Sequence, residues 1–244
     1  MGAIARTVPL AFAYYAKGGR YERMAAESMA TLRRAVPGAD VRVVDPDALP
    51  AVLKDCAALH RPYRVSKENP RNTAWSYAMR LGIPLSEQFA DCRRVLWLDS
   101  DTRVVSGEVA SLADMDMEGC ETAMSPDCMP IMVTGVARLA KGLGRQARPG
   151  YYCNSGVCLF DLTHPGWPAV MDDMVEVMER HFEILDLFDQ DLLNVCCRVK
   201  ILDPKFNCRS SWHFGDGAFM RDPVILHYYG PQDQARFWED VPTV

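Results

Sequence analysis

Val95-Leu96-Trp97-Leu98-Asp99-Ser100-Asp101 runs four apolar residues straight into two carboxylates separated by one small residue. Read as a buried strand, the segment places positions i and i+2 on one side, so Asp99 and Asp101 converge on a single point. Two unpaired carboxylates held that close repel each other unless a cation lies between them. A divalent metal is the simplest such cation, because carboxylate oxygen suits Mg²⁺ and Mn²⁺. The bland alternative is a turn, since Asp often ends strands. Three other Asp-x-Asp triplets begin at Asp45, Asp114 and Asp189, so the pattern alone is weak. Only the Asp45 triplet also follows a strand-like run, and its middle residue is the turn former Pro46.

Three further spots put polar groups beside apolar runs. Asn154-Ser155-Gly156 immediately precedes the apolar run Val157 to Phe160. Gly156 there permits close backbone approach, and Asn154 offers both a donor and an acceptor. Asp189-Gln190-Asp191-Leu192-Leu193-Asn194 sets acid and amide at a helix start, where capping is the plain structural alternative. Val224-Ile225-Leu226-His227 ends a strand on a histidine, and Tyr228-Tyr229-Gly230-Pro231 follows. A lone strand-end histidine is more often a surface or core residue than a ligand.

The elements that must position these groups alternate between strand and helix, which favours an α/β architecture. Strands are expected at Val8–Ala13, Val41–Val44, near position 95, at Glu121–Met124, at Val157–Phe160 and at Val224–Leu226. Helices are expected at Tyr21–Ala35 (closed by Pro37-Gly38), Leu49–His60, Thr73–Leu81, Trp167–Phe182 and Asp191–Val195. The polar stretch Arg61 to Asn72 reads as a surface loop. Cys128 to Arg148, rich in small residues with Lys141, Arg145 and Arg148, reads as an excursion or a lid. With no repeat, low-complexity tract or clear linker, residues 1–244 are expected to form one domain.

Composition excludes several classes. A net charge of −5 argues against a nucleic-acid partner, which wants a basic face. No apolar run approaches the roughly 20 residues that span a bilayer. Nine cysteines, none in a Cys-x-x-Cys pair, fit reduced thiols and a cytoplasmic location. Cys92, Cys153 and Cys158 sit in apolar surroundings and read as packing residues.

Taken in order, strand-Asp-x-Asp, Asn-Ser-Gly-Val, Asp-Gln-Asp-x-x-Asn and His-x-x-Gly-Pro resemble glycosyltransferase family 8 from Val8 to Pro231. Tyr77-Ala78-Met79-Arg80-Leu81 is similar to that family's tyrosine-arginine-leucine helix. The resemblance implies an α/β fold of the GT-A type, a single Rossmann-like domain with a mixed central sheet flanked by helices. It implies retaining transfer of a hexose from a nucleotide-sugar donor, UDP-glucose or UDP-galactose by family default, to a glycan or other hydroxyl acceptor. Asp99, Asp101 and His227 would hold Mn²⁺, with Mg²⁺ as the alternative. Arg80, Asn154, Ser100, Ser155 and Gly230 would join the metal ligands around the donor. Where the family's first strand runs into acidic and asparagine residues near the base, this chain has Tyr14-Tyr15-Ala16-Lys17; Tyr14 or Tyr21 could stack on a base there, and a core aromatic is the equal alternative. Asp189 and Gln190 would stand at the reaction centre, and Asp127 resembles an acceptor-side acid.

The sequence also departs from the family. Where the family commonly has a lysine after the His-x-x-Gly motif, this chain has Asp233, with Arg236 offered as a substitute from one helical turn on. A haloacid-dehalogenase-type phosphatase is the rival enzyme reading. It requires Thr or Val two residues past the second Asp, and Arg103 stands there. A degenerate protein that binds a sugar nucleotide without turnover is the third reading, motivated by Asp233.

Overall fold

The structure, a computed structural model, describes residues 6–16, 18–45, 47, 80–127, 140–144, 152–181, 185, 187–211 and 220–239. The expected helix Leu49–His60, the loop Arg61–Asn72, most of the helix Thr73–Leu81 and nearly all of Cys128–Arg148 lie outside these residues. Of the Thr73–Leu81 helix, Arg80 and Leu81 are described, and both are helical.

A six-stranded sheet forms the centre. Its strands are β1 (Val8–Tyr14), β2 (Asp40–Val43), β3 (Cys92–Leu98), β5 (Thr122–Pro126), β6 (Cys153–Asp161) and β7 (Val199–Ile201), in the order β2-β1-β3-β6-β5-β7. β1 runs parallel to β2 and β3, and β5 parallel to β7, whereas β6 is antiparallel to both β3 and β5. The sheet is therefore mixed, as expected. Its strands read as near-continuous apolar runs because both faces are covered. Alternation along β1 and β3 sends Ala11, Ala13, Val95 and Trp97 into one cluster and Leu10, Phe12, Tyr14, Leu96 and Leu98 into the other. The first cluster is closed by α2 (Trp167–His181) through Met171, Met174 and Val177, and by α3 (Phe188–Cys196) through Leu192 and Leu193. The second is closed by Leu32 of α1 (Gly19–Ala35) and by Val109 and Leu112 of a 3-10 stretch, Gly107–Ala113. Helix α1 stops where Val36 N–H bonds Leu32 O at 2.7 Å and Gly38 takes a positive φ of 83°, which a glycine adopts without strain.

Of a second, small sheet only one strand, the run Val224–Leu226, is expected from the sequence. The sheet consists of β4 (Thr102–Val104), β8 (Cys208–Arg209) and β9 (Ile225–His227), ordered β4-β9-β8. β4 and β9 are antiparallel with Thr102 opposite His227, and β8 and β9 are parallel with Arg209 opposite His227. A short helix α4 (Pro231–Ala235) follows. Among the described residues, no helix is long and apolar enough to cross a membrane.

Candidate active site

Asp99 and Asp101 do converge, but by a turn and not by strand alternation. β3 ends at Leu98. Asp99 N–H then bonds Gly156 O at 2.8 Å, while Thr102 returns its N–H (3.2 Å) and its hydroxyl (2.8 Å) to Asp99 O. The chain reverses over Ser100 and Asp101 and enters β4. Tyr228 N–H on Asp101 O, at 2.9 Å, ties that turn to the end of β9. His227 is thereby delivered to the carboxylates, and one ligand atom each from Asp99, Asp101 and His227 lies within 4.8 Å of the others. Imidazole Nε2 is 3.3 Å from Asp101 Oδ1.

Each of the three side chains is fixed by one atom and offers another. Asp99 Oδ1 accepts from Trp97 Nε1 at 2.7 Å and from Arg80, which leaves Oδ2. Asp101 Oδ2 accepts from Gln234 Nε2 at 2.7 Å, which leaves Oδ1. His227 Nδ1 meets Asn207 Oδ1 at 2.8 Å, which leaves Nε2. Burial alone would raise the Asp101 carboxyl, but bonds to His227 and Gln234 hold it below the usual range. Two carboxylate oxygens and one imidazole nitrogen form a donor set that fits Mn²⁺. Asp101 and His227 are buried and Asp99 is partly exposed, so a shared ion is open to a ligand from one side.

Behind this cluster lies the second acid. Arg80, 3% exposed, donates to Asp99, to Asp189 and to Ser155 Oγ, and its guanidinium lies 4.9 Å from the Trp97 ring centroid. A buried cation held by two carboxylates and an aromatic face is a rigid fixture, because releasing either acid would leave a charge unpaired. Burial pushes the Asp189 carboxyl up to about 6, against the pull of Arg80. Neighbouring Gln190 accepts at Oε1 from Ser155 N–H (3.0 Å) and donates from Nε2 to Asp127 Oδ2 (3.2 Å). Capping at this helix start belongs to Asp191, whose carboxylate takes Leu187 N–H at 2.8 Å and Tyr152 OH at 2.5 Å. Asp189 and Gln190 are thus spared for the site face.

The remaining expected residues divide. β6 begins at Cys153, ahead of the expected strand, so Asn154 and Ser155 belong to it; Asn154 reaches Asp127 at 3.3 Å. Ser100 sits partly exposed between the two acids. Gly230, φ 90°, opens α4. Tyr14 is a correction: only 1% exposed, it packs within the core beneath α1 and its hydroxyl meets Ser28 Oγ at 3.1 Å, so its ring presents no surface to a base. In α4 the side chain of Gln234 reaches Asp101. Asp233 is no bare acid: it is 4% exposed, and Arg209 Nε donates to its Oδ2 at 2.6 Å. Arg209 lies 5.0 Å from the Tyr229 ring centroid, and Tyr229 in turn lies 4.7 Å from the His227 ring. Arg209, Asn207 and Gln234 escaped the sequence reading because no local pattern marks them; only the small sheet and α4 bring them in. Burial pushes the thiols of Cys153 and Cys158 up to about 12, as fits packing residues and not nucleophiles.

The mixed sheet with acids at the end of a central strand is of the GT-A glycosyltransferase type. Among solved structures, the chain is similar to the galactosyltransferase LgtC in complex with donor and acceptor sugar analogs, at TM-score 0.65 and 21% identity over 90% of this chain and 87% of that one. It is also similar to mouse xyloside xylosyltransferase 1, at TM-score 0.57 and 13% identity over 89% and 96%. Residues 38–241 match the family model for glycosyl transferase family 8, and the chain belongs to that family. A curated relative, lipopolysaccharide 1,2-glucosyltransferase of Escherichia coli (strain K12), is 23% identical over 205 residues, 75% of this chain and 57% of the relative. The chain therefore spans little more than half the length of that relative.

Proposed function

We propose that this chain transfers a hexose from a nucleotide-sugar donor, UDP-glucose or UDP-galactose, to a hydroxyl acceptor with retention, using Mn²⁺ held by Asp99, Asp101 and His227. The observation that carries the reading is the trio of ligand atoms within 4.8 Å, each on a side chain anchored through its other polar atom. When bound, the metal supplies Lewis-acid neutralisation of the charge that grows on the leaving nucleoside diphosphate. Arg209, oriented by Asp233, gives this side of the site a further positive charge beside Arg236, the candidate for the family's lysine. Arg80 holds Asp99 and Asp189 in place between metal and sugar. Asn154, Ser155 and Gln190 line the sugar side, where Asp189 and Gln190 face the oxocarbenium-like centre. Asp127, the acceptor-side candidate, accepts from both amides.

Family membership supports a glycosyltransferase and leaves the phosphatase alternative without support. The degenerate-binder alternative rested on Asp233 facing the phosphates, and its ion pair with Arg209 counts against that alternative. A Mn²⁺-dependent release of UDP from UDP-glucose or UDP-galactose is expected. Absence of donor hydrolysis with every nucleotide-sugar tried, with metal supplied, would sink the transferase reading.

A further inference from the structure

His227 is held by two side-chain amides in series, and the polarity of that series is forced. Gly156 N–H can only donate, and it lies 3.0 Å from one end of the Asn154 amide, which must therefore be Oδ1. The other end of the same amide, 3.3 Å from Asp127 Oδ2, is then the NH₂, as an accepting carboxylate demands. Two unrelated anchors thus agree on one orientation. Asn154 Oδ1 also faces Asn207 at 3.0 Å, so Asn207 must present its NH₂ there. Asn207 is left with Oδ1 against His227 Nδ1 at 2.8 Å, and an acceptor at that place requires the ring proton on Nδ1. The imidazole has little room to escape this bond: a Cβ built on Gly156 would fall 2.1 Å from its Cε1, and the Tyr229 ring lies 4.7 Å away. Asn207 and His227 are 5% and 2% exposed, so water does not supply a competing partner freely.

We propose that Asn207 is a positioning residue that keeps a proton on His227 Nδ1, so that Nε2, which faces Asp101 Oδ1 at 3.3 Å, is the nitrogen whose lone pair a cation shared with Asp99 and Asp101 would take. The value of this to catalysis rests on the metal reading above. The device itself runs Asp127–Asn154–Asn207–His227 and joins the sugar side of the site to the metal side, since Asp127 also accepts from Gln190. An imidazole protonated on Nε2 would point a hydrogen at the place where the ion binds, so losing the tautomer costs affinity without removing a ligand.

The test uses the full chain, first free of metal. Long-range ¹H–¹⁵N spectra at pH 8 are expected to show His227 protonated on Nδ1, and Asn207→Ala to shift it wholly or partly to Nε2. Calorimetry with Mn²⁺ alone should then show a 10- to 100-fold loss of affinity for Asn207→Ala, the range for outer-shell partners of metal ligands. Asn207→Asp, whose carboxylate still accepts from Nδ1 although its other oxygen now faces Asn154 Oδ1, should keep the tautomer at a cost in stability and lose less Mn²⁺ affinity than Asn207→Ala. If Asn207→Ala fails to fold, the wild-type tautomer and the Asn207→Asp variant carry the test. A wild-type ring that lacks the Nδ1 proton, or an Asn207→Ala variant with unchanged tautomer and Mn²⁺ affinity, would overturn the inference. A wild-type protein with the Nδ1 tautomer that binds no Mn²⁺ would sink the metal reading and leave the positioning role standing.

Discussion

The two sheets supply the same site by different means. The six-stranded sheet brings Asp99 at the end of β3 and Ser155 and Gly156 on β6, from strands buried on both faces. The three-stranded sheet brings Arg209 and His227 from strands of two and three residues, with Asn207 one residue ahead of β8. With α3 and Arg80, the large sheet carries, besides Asp99, the acid and amides that would face the sugar under the proposed function. The small sheet carries the imidazole and the arginine, the groups suited to a metal and a diphosphate. Damage on the small-sheet side should therefore fall on metal and donor affinity, and damage beside α3 on turnover of a donor already bound.

The largest effect is expected at the seam. Asp101 leaves the β3 turn, takes the Tyr228 N–H at the end of β9, and faces His227, so both sheets meet on it. Asp101→Asn replaces a ligand oxygen with an amide, and calorimetry should show Mn²⁺-dependent donor binding abolished, by about 100-fold or more. Affinity within a few-fold of wild type would refute the metal assignment. Gly156→Ala should come next. Its new Cβ would stand 2.1 Å from His227 Cε1 and 2.8 Å from Nε2, on a buried ring that cannot swing into solvent. Mn²⁺ affinity should fall at least about 10-fold, as for loss of a group that orients a ligand. Overpacking should cost about 1–3 kcal/mol in denaturant unfolding. Unchanged metal affinity would show that the two sheets can part without harming the site.

Much of the large sheet is legible in sequence, because continuous apolar runs bounded by turns mark β1, β3 and β6. Of the small sheet only β9, from the apolar run Val224–Leu226, is legible. Thr102–Val104 and Cys208–Arg209 are too short to show a period, and pairing with His227, not local preference, makes them strands. For the same reason Asp99, Asp101, Asp189, Gln190 and His227 could be singled out from their neighbours, whereas Asn207 and Arg209 could not. Tyr14 illustrates the converse. Its place at the end of β1 suggests a nucleotide surface, but strand alternation turns it onto the face that α1 covers, where Ser28 meets its hydroxyl. Asp233 looked like a defect in sequence because its partner lies 24 positions away on β8.

That partner offers the third prediction. Arg209→Ala should raise the donor KM by about 10-fold, equivalent to about 1.4 kcal/mol, and leave kcat nearly unchanged. Part of that loss comes from stranding the buried Asp233 carboxylate, so Arg209→Ala combined with Asp233→Ala should recover some affinity. A fall in kcat with unchanged KM would place Arg209 with the turnover residues and blur the division between the sheets.

Asp189 gives the smallest effect and the sharpest sign. Its carboxyl is pushed up to about 6 by burial, whereas an Asp in the unfolded chain titrates near 3.9. Between those values the folded protein holds a proton that the unfolded chain has lost, so this group's contribution to stability falls as pH rises through the window. Asn cannot titrate, and Asp189→Asn removes the dependence. Urea unfolding of the metal-free proteins at pH 4.5 and pH 6.5 should therefore show wild type losing ground against Asp189→Asn as pH rises. One proton limits the slope to about 1.4 kcal/mol per pH unit. The opposite trend would mean that attraction to Arg80 outweighs burial and that the carboxyl is depressed. In that case Asp189 would belong with Asp101, an acid held ionised by its neighbours, and the contrast between a metal-side and a sugar-side carboxylate would lose its electrostatic basis.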